Sequence, residues 1–308
     1  MSVITAEQLT KRYGHFAAVD GVSFEVPRGQ LLAVLGPNGA GKTTTLEMLE
    51  GFAAPTSGTV RVLGADPRRT TRAWRARIGL VLQSTSLHGE FTVADTLRLY
   101  ARHYPAPRRV RDVLDMVDLK DDAQTRVGVL SGGQRRRVDI AIAIIGRPEV
   151  LFLDEPTTGL DPEARRHTWA VVGNLTAAGT TVLLTTHYID EADHLADRVI
   201  VLSGGHVTAD TTPRELRARG GPPVIRYQIP DGAAAASMPA PLAQWLNGDG
   251  RTLVIRSRDV TGPLRELADW AGRNRLDLAG LEVGPPSLEE AYLTVIGEPL
   301  TAQAGNHG

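Results

Sequence analysis

Residues 36–44 read GPNGAGKTT. Gly36, Gly41, Lys42 and Thr43 occupy the fixed positions of G-x-x-x-x-G-K-[ST], with Pro37, Asn38, Gly39 and Ala40 in the variable ones. An apolar run ends at Leu35, and helix-forming sequence begins at about Thr43. In that setting the glycines let successive backbone N–H groups turn inward onto phosphate oxygens, and the helix N-terminus adds partial positive charge. Lysine occurs only at 11, 42 and 120, in a chain rich in arginine. At 42 a compact ammonium reaches β- and γ-phosphates, where a planar guanidinium would need a different fork geometry. Thr43 is placed to put its hydroxyl on Mg2+.

A second chemical feature is VLFLDEP at 150–156, an apolar strand ending in two carboxylates. Strand alternation sends Asp154 and Glu155 to different faces, so they can do different work. Asp154 suits the second sphere of Mg2+, and Glu155 suits the polarisation of a water that attacks the γ-phosphate. A third feature is LSGG, which occurs at 130–133 and again at 202–205. The first copy continues as LSGGQRRRVDIAIAII, with Val138, Ile142 and Ile145 on one helical face and Ser131 as a natural N-cap. Ser131, Gly132, Gly133 and Gln134 therefore form a second anion site at a helix start. The second copy, between VIVL and HVTAD, is a hairpin turn. The run Arg135-Arg136-Arg137 reads as a solvated face, with phosphate or partner contacts as the alternative. Lys42 and Ser131 are far apart in the chain, and one chain does not obviously fold both onto one nucleotide, whereas two chains placed head to tail do.

The elements that must position these residues alternate short β-branched runs with amphipathic stretches over the first ~220 residues, the pattern of an α/β domain. VSFEV, LLAVL, IGLVL, VLFLD and TVLLTT read as strands, TTTLEMLEGF as a helix, and 92–145 as a helical insert. Gly220-Gly221-Pro222-Pro223 breaks the chain. A small α+β unit follows over 222–297, with Ser287 and Glu290 in capping-box spacing, and 298–308 reads as a disordered tail. Net charge is −1 over 308 residues, so no overall basic field points to nucleic acid. The chain has no cysteine, which excludes disulfides, thiolate metal sites and cysteine nucleophiles. The N-terminus lacks a signal-type apolar core, and runs such as IAIAII fall short of the ~20 residues that span a bilayer.

These residues resemble the ATP-binding subunit of an ATP-binding cassette (ABC) transporter, over about 1–221. GPNGAGKTT, through Thr44, looks like Walker A. VLFLDE looks like Walker B, LSGGQ at 130–134 like the ABC signature, and GLDP like the D-loop, with Asp161 its acid. The resemblance implies a P-loop NTPase cassette with a RecA-like core, an antiparallel β-subdomain and a helical insert, followed by a small C-terminal α+β domain. It gives Gln83 the role of the Q-loop glutamine on Mg2+ and His187 that of the switch histidine on the γ-phosphate. Tyr13 becomes the aromatic that stacks on adenine, with Phe16 a nearby competitor. Lys42, Glu155 and His187 are the expected catalytic set of a Mg2+-dependent ATPase, acting as a homodimer with each ATP sandwiched head to tail. The ending SLEEAYL is similar to drug-resistance ATPases of the daunorubicin/doxorubicin exporter type. That implies a separate ABC-2 class membrane subunit, a place on the cytoplasmic face of the membrane, and efflux of drugs, antibiotics or other amphipathic compounds. A soluble ABC ATPase and a regulatory nucleotide-binding module are the alternatives. Where the family more usually has Q-R-Q-R after the signature glycines, this chain has Gln134-Arg135-Arg136-Arg137, a departure expected to alter local contacts.

Overall fold

The computed structural model describes residues 2–83, 88–230, 238–247 and 251–297. The tail at 298–308, read above as disordered, lies outside them. The chain forms two compact units, Met1–Pro213 and Arg214–Gly308. No helix among the described residues is long and apolar enough to cross a membrane.

The first unit is built on two sheets. Strands β1 (Ser2–Tyr13), β2 (Phe16–Pro27) and β4 (Ser57–Val62) form an antiparallel sheet in the order β2-β1-β4. The larger sheet comprises β3 (Leu31–Leu35), β5 (Ile78–Val81), β6 (Val150–Asp154), β7 (Thr181–Thr186), β8 (Arg198–Ser203) and β9 (His206–Thr211), in the order β5-β6-β7-β3-β8-β9. Every pairing in it is parallel except that of β9, the antiparallel edge strand. Each residue of β3, β6 and β7 is buried, which is why these strands read as unbroken apolar runs instead of alternating ones. Helix α1 (Lys42–Glu50) sends Leu46, Met48 and Leu49 into a core shared with Ile4, Leu9 and Val22 of the small sheet and Val34 and Phe152 of the large one. The second LSGG does form the β8–β9 hairpin, with Gly204 and Gly205 at φ 56° and 83°.

The short helix α2 (Arg72–Arg75) precedes β5, and its Trp74 donates its indole N–H to the Val62 carbonyl. The 92–145 stretch carries α3 (Val93–Ala101), α4 (Val110–Met116) and α5 (Gly132–Ile144), so the expected helical insert is present. Ser131 and Gln134 form a reciprocal capping box that starts α5. Val138 and Ile145 are buried as their spacing predicts, and Ile142 is half-buried. Arg136, Ile140 and Ile144 are buried as well, so the helix is enclosed over a wider arc than one face. Helices α6 (Pro162–Ala177), α7 (Ile189–Leu195) and α8 (Pro213–Arg219) follow, with Asp161 as N-cap of α6.

The second unit holds an antiparallel sheet, β11-β10-β12, of β10 (Val224–Gln228), β11 (Thr252–Arg256) and β12 (Glu282–Gly284). After α9 (Ala240–Ala243), the amphipathic α10 (Thr261–Asn274) buries Leu267, Trp270 and Ala271 against Tyr227, Leu253 and Ile255. The last helix, α11 (Leu288–Ile296), opens with the expected capping box of Ser287 and Glu290. The Glu290 carboxylate also receives the guanidiniums of Arg226 on β10 and Arg256 on β11.

Candidate functional site

The glycine loop runs from the end of β3 into α1, and its shape depends on close backbone approaches. A Cβ at Gly36 would lie 2.5 Å from the Leu202 carbonyl oxygen, and one at Gly41, where φ is +99°, only 2.4 Å from that of Ala18. Gly39 has φ +81° but meets nothing within 4 Å, so this part of the loop faces open space. Gly41 caps α1 without any side-chain hydrogen bond, which leaves the first N–H groups of that helix available to an anion. Lys42 is 6 % exposed, and its Nζ donates to the carbonyls of Gly36 at 2.8 Å and Pro37 at 3.3 Å. Burial pulls the Lys42 ammonium below its ordinary value, while the charges of Glu155 and Asp154 oppose that shift.

Asp154 ends β6 and is buried. Its Oδ1 accepts from the hydroxyls of Thr185 and, at 3.5 Å, Thr43. Glu155 diverges from it for a reason other than strand alternation. Its backbone has left the strand with φ +44°, a left-handed conformation that costs a non-glycine residue roughly 1–3 kcal/mol. The Glu155 N–H donates to Thr185, which holds the turn against β7. Glu155 Oε1 then lies 3.6 Å from Lys42 Nζ, and Oε2 lies 3.2 Å from His187 Nδ1 and 3.1 Å from the Thr158 hydroxyl. Burial pushes the Glu155 carboxyl up, but the His187 hydrogen bond and the charges of His187 and Lys42 outweigh it and hold the group below the usual carboxylate range.

Lys42, Glu155, Thr158 and His187 line one cleft of about 560 Å³. Asn38, Gly39, Gly41, Lys42, Thr43 and Thr44 line it together with Glu155, Thr158, His187, Gln83, Tyr13 and Phe16. Tyr13 is 52 % and Phe16 63 % exposed, and Lys11 Nζ lies 5.0 Å over the Tyr13 ring. An adjoining hollow brings Thr43, Gln83 and Asp154 together with Glu47 and Glu50. A hydroxyl, an amide carbonyl and a carboxylate are hard oxygen donors of the kind Mg2+ takes when substrate phosphates complete its shell. Among the described residues no cluster of three or more His, Cys, Asp or Glu side chains is arranged as an all-protein metal cage.

The remaining candidates lie elsewhere. Ser131, Gly132, Gly133, Gln134 and Asp161 are not part of the cleft lining. Ser131 and Gly132 are exposed at the start of α5, and the Gln134 amide is engaged by Ser131 N–H and Asp122. Asp161 accepts from the N–H groups of Glu163 and Ala164.

The arginine run is a solvated face only in part: Arg135 is exposed, but Arg136 is 8 % exposed and donates to four backbone carbonyls, and half-buried Arg137 donates to those of Val117 and Asp118. A sequence signal was present, because positions 136, 140 and 144 share a helix face on which the other two are isoleucines. Thr158 on Glu155 was also missed, and no spacing rule singles it out. Glu191, fully buried just past His187, accepts from Trp169 Nε1 at 3.1 Å, and burial pushes its carboxyl up.

Residues 19–158 match the family model of the ABC transporter, and 223–287 match that of the ABC transporter domain-containing protein-like, C-terminal domain. The chain is 38% identical over 305 residues to Nod factor export ATP-binding protein I of Ralstonia nicotianae, covering 97% of this chain and 95% of that protein. It is 41% identical over 310 residues to daunorubicin resistance ATP-binding protein DrrA3 of Streptomyces coeruleorubidus, covering 96% of each. Among solved structures, the ATP binding subunit of an ABC transporter covers 70% of this chain at a TM-score of 0.64 and 27% identity, with 92% of that chain matched. A dimeric post-hydrolysis state of an ATP-binding cassette bound to ADP and Pi matches at a TM-score of 0.61 and 26% identity, covering 68% of this chain and 98% of that one.

Proposed function

The chain belongs to the ABC transporter family as an ATP-binding, ATP-hydrolysing subunit of the export type, and on that premise we propose how it works and what it serves. The observation that carries the proposal is the convergence of Lys42 of the glycine loop, Glu155 and His187 in one cleft. Lys42 and the loop N–H groups hold the phosphates. Glu155, kept ionised by its neighbours, takes up the proton of the attacking water, and His187, within hydrogen-bond reach of Glu155, orients it and bears on the γ-phosphate. Tyr13 or Phe16 stacks on the adenine. Thr43 and Gln83 would hold Mg2+, with Asp154 in its second sphere, and the ion would supply charge neutralisation at the phosphate oxygens. Ser131–Gln134 and Asp161 serve the nucleotide bound by a second copy of the chain, because they stand outside their own cleft. The dimer works on the cytoplasmic face of the membrane with a separate ABC-2 class subunit, and the cargo is a drug, antibiotic or other amphipathic compound; relatives named for Nod factor export and daunorubicin resistance support an export role.

The experiment is affinity purification of tagged Glu155→Gln chain from solubilised host membranes with Mg-ATP present. Turnover is expected to fall by about 10²-fold or more with ATP binding kept, and a multi-spanning protein is expected to co-purify at near-equal stoichiometry. Undiminished turnover removes Glu155 from its role, and recovery of soluble partners alone removes the exporter.

A further inference from the structure

The arginine at position 136 carries more than a packing role. Its Nε donates to the Pro156 carbonyl at 2.9 Å, one terminal nitrogen to Leu82 O at 2.6 Å, and the other to Asp154 O at 2.8 Å and Glu155 O at 3.2 Å. Asp139, one turn along α5, lies 3.8 Å away and supplies the counter-charge. Three of the four carbonyls belong to the segment that turns Glu155 out of β6, and the fourth belongs to the peptide that leads into Gln83. The arginine itself stands five residues into the structure that starts at Ser131. One planar fork therefore joins three segments that are distant in the chain.

We propose that Arg136 is a positioning residue for hydrolysis, a strut that makes the start of α5, the Glu155 turn and the Leu82–Gln83 peptide move as one body. The inference rests on the roles given above to Glu155 and to Ser131–Gln134. Glu155 holds a left-handed backbone, and such a conformation persists only where the surroundings over-determine it. The Thr185 contacts fix its N–H side, and Arg136 fixes its carbonyl side. A movement of α5 on meeting a second chain's nucleotide is then delivered to the chain's own Glu155 and Gln83. Five donors fixed in a plane suit this arrangement, whereas an ammonium is a point charge on a flexible stem and an amide has two donors. Phosphate binding depends on Lys42 and the glycine loop, and Arg136 bonds only backbone carbonyls beside Gln83 and at Asp154, not the side chains assigned to Mg2+, so its removal is expected to act on turnover far more than on ATP affinity.

The test compares Arg136→Ala and Arg136→Lys with the native full chain, assayed with its membrane subunit. In each variant kcat is expected to fall about tenfold or more while KM for ATP changes by less than about twofold. Ethylguanidinium added to Arg136→Ala is expected to restore part of kcat, and ethylammonium to restore none. Should Arg136→Ala fail to fold, Arg136→Lys decides, because it keeps the charge and loses the fork. An unchanged kcat overturns the proposal. So does a loss that neither cation or both cations rescue, or one in which KM and thermal midpoint move together with kcat. A parallel Glu155→Gln measurement separates the two levels: retained turnover there fails the reading of Glu155, whereas lost turnover there beside active Arg136 variants fails only the strut.

Discussion

Glu155 is the residue on which the proposed chemistry converges, and its environment explains its state. A carboxylate this enclosed would ordinarily resist ionisation, yet His187, Lys42 and Thr158 together hold it below its normal range. Replacing His187 by Ala removes the leading stabiliser of the charged form, so the acid limb of the kcat–pH profile is expected to move to higher pH as overall turnover falls. Glu50 shows the opposite balance. Burial, reinforced by the charges of Asp154 and Glu47, raises its carboxyl from 4.5 to about 8. Between these values the folded chain holds a proton that the unfolded chain has released, so stability falls as pH rises, by up to about 1.4 kcal/mol per pH unit, and levels off above about pH 8. Glu50→Gln is expected to flatten that dependence. Thermal midpoints at about pH 6 and about pH 9 check it, since native and variant should diverge at the higher value.

At the scale of elements, the glycine loop is shaped by two different constraints that substitution can separate. Gly39 and Gly41 both need positive φ, but only Gly41 also lies within 2.4 Å (by its would-be Cβ) of another strand's carbonyl. Gly39→Ala is expected to cost about 1–2 kcal/mol of stability from strain alone. Gly41→Ala must push β2 away, so it is expected to lose nucleotide binding as well. Denaturant unfolding and ATP titration of the two variants check the contrast. In the second unit, Glu290 is at once the capping acid of α11 and the shared partner of Arg226 and Arg256. Glu290→Ala is expected to loosen that helix from β10 and β11 by about 1–3 kcal/mol, seen as faster amide exchange in all three elements.

For the whole molecule, two cores of independent composition support two compact units, and the candidate nucleotide cleft is lined entirely by residues of the first. That cleft lacks the Ser131 segment, which stands exposed elsewhere on the same chain. If each site is completed by a second copy, a Lys42→Ala chain and a Ser131→Arg chain are both inactive alone but complement when mixed. Half the dimers in an equal mixture then hold one intact site of two, so about a quarter of native turnover is expected. ATPase assay of the mixture after co-refolding or co-expression reads this directly, and a complete lack of recovery counts against the shared site.

The glycine loop, the acidic pair, the capped start of α5 and the β8–β9 hairpin were legible in the sequence because each is a local demand. A left-handed turn calls for glycine, a helix start calls for Ser131 and Gln134, and a buried parallel strand calls for an unbroken apolar run. The fate of the arginine run was not legible in the same way. Whether a guanidinium is solvated depends on which carbonyls are brought to it, and Leu82 lies 54 residues from Arg136 and Asp154 lies 18. The divergence of Asp154 from Glu155 was expected from strand alternation, but a positive φ produces it, held by contacts from β7 and α5. The sequence by itself determined which residues are the candidates to hold phosphate and which acid is the candidate to activate water. The tertiary structure alone decided how those residues are held, because long-range burial and hydrogen bonding set the charge state of Glu155, the backbone of its turn and the partners of Arg136.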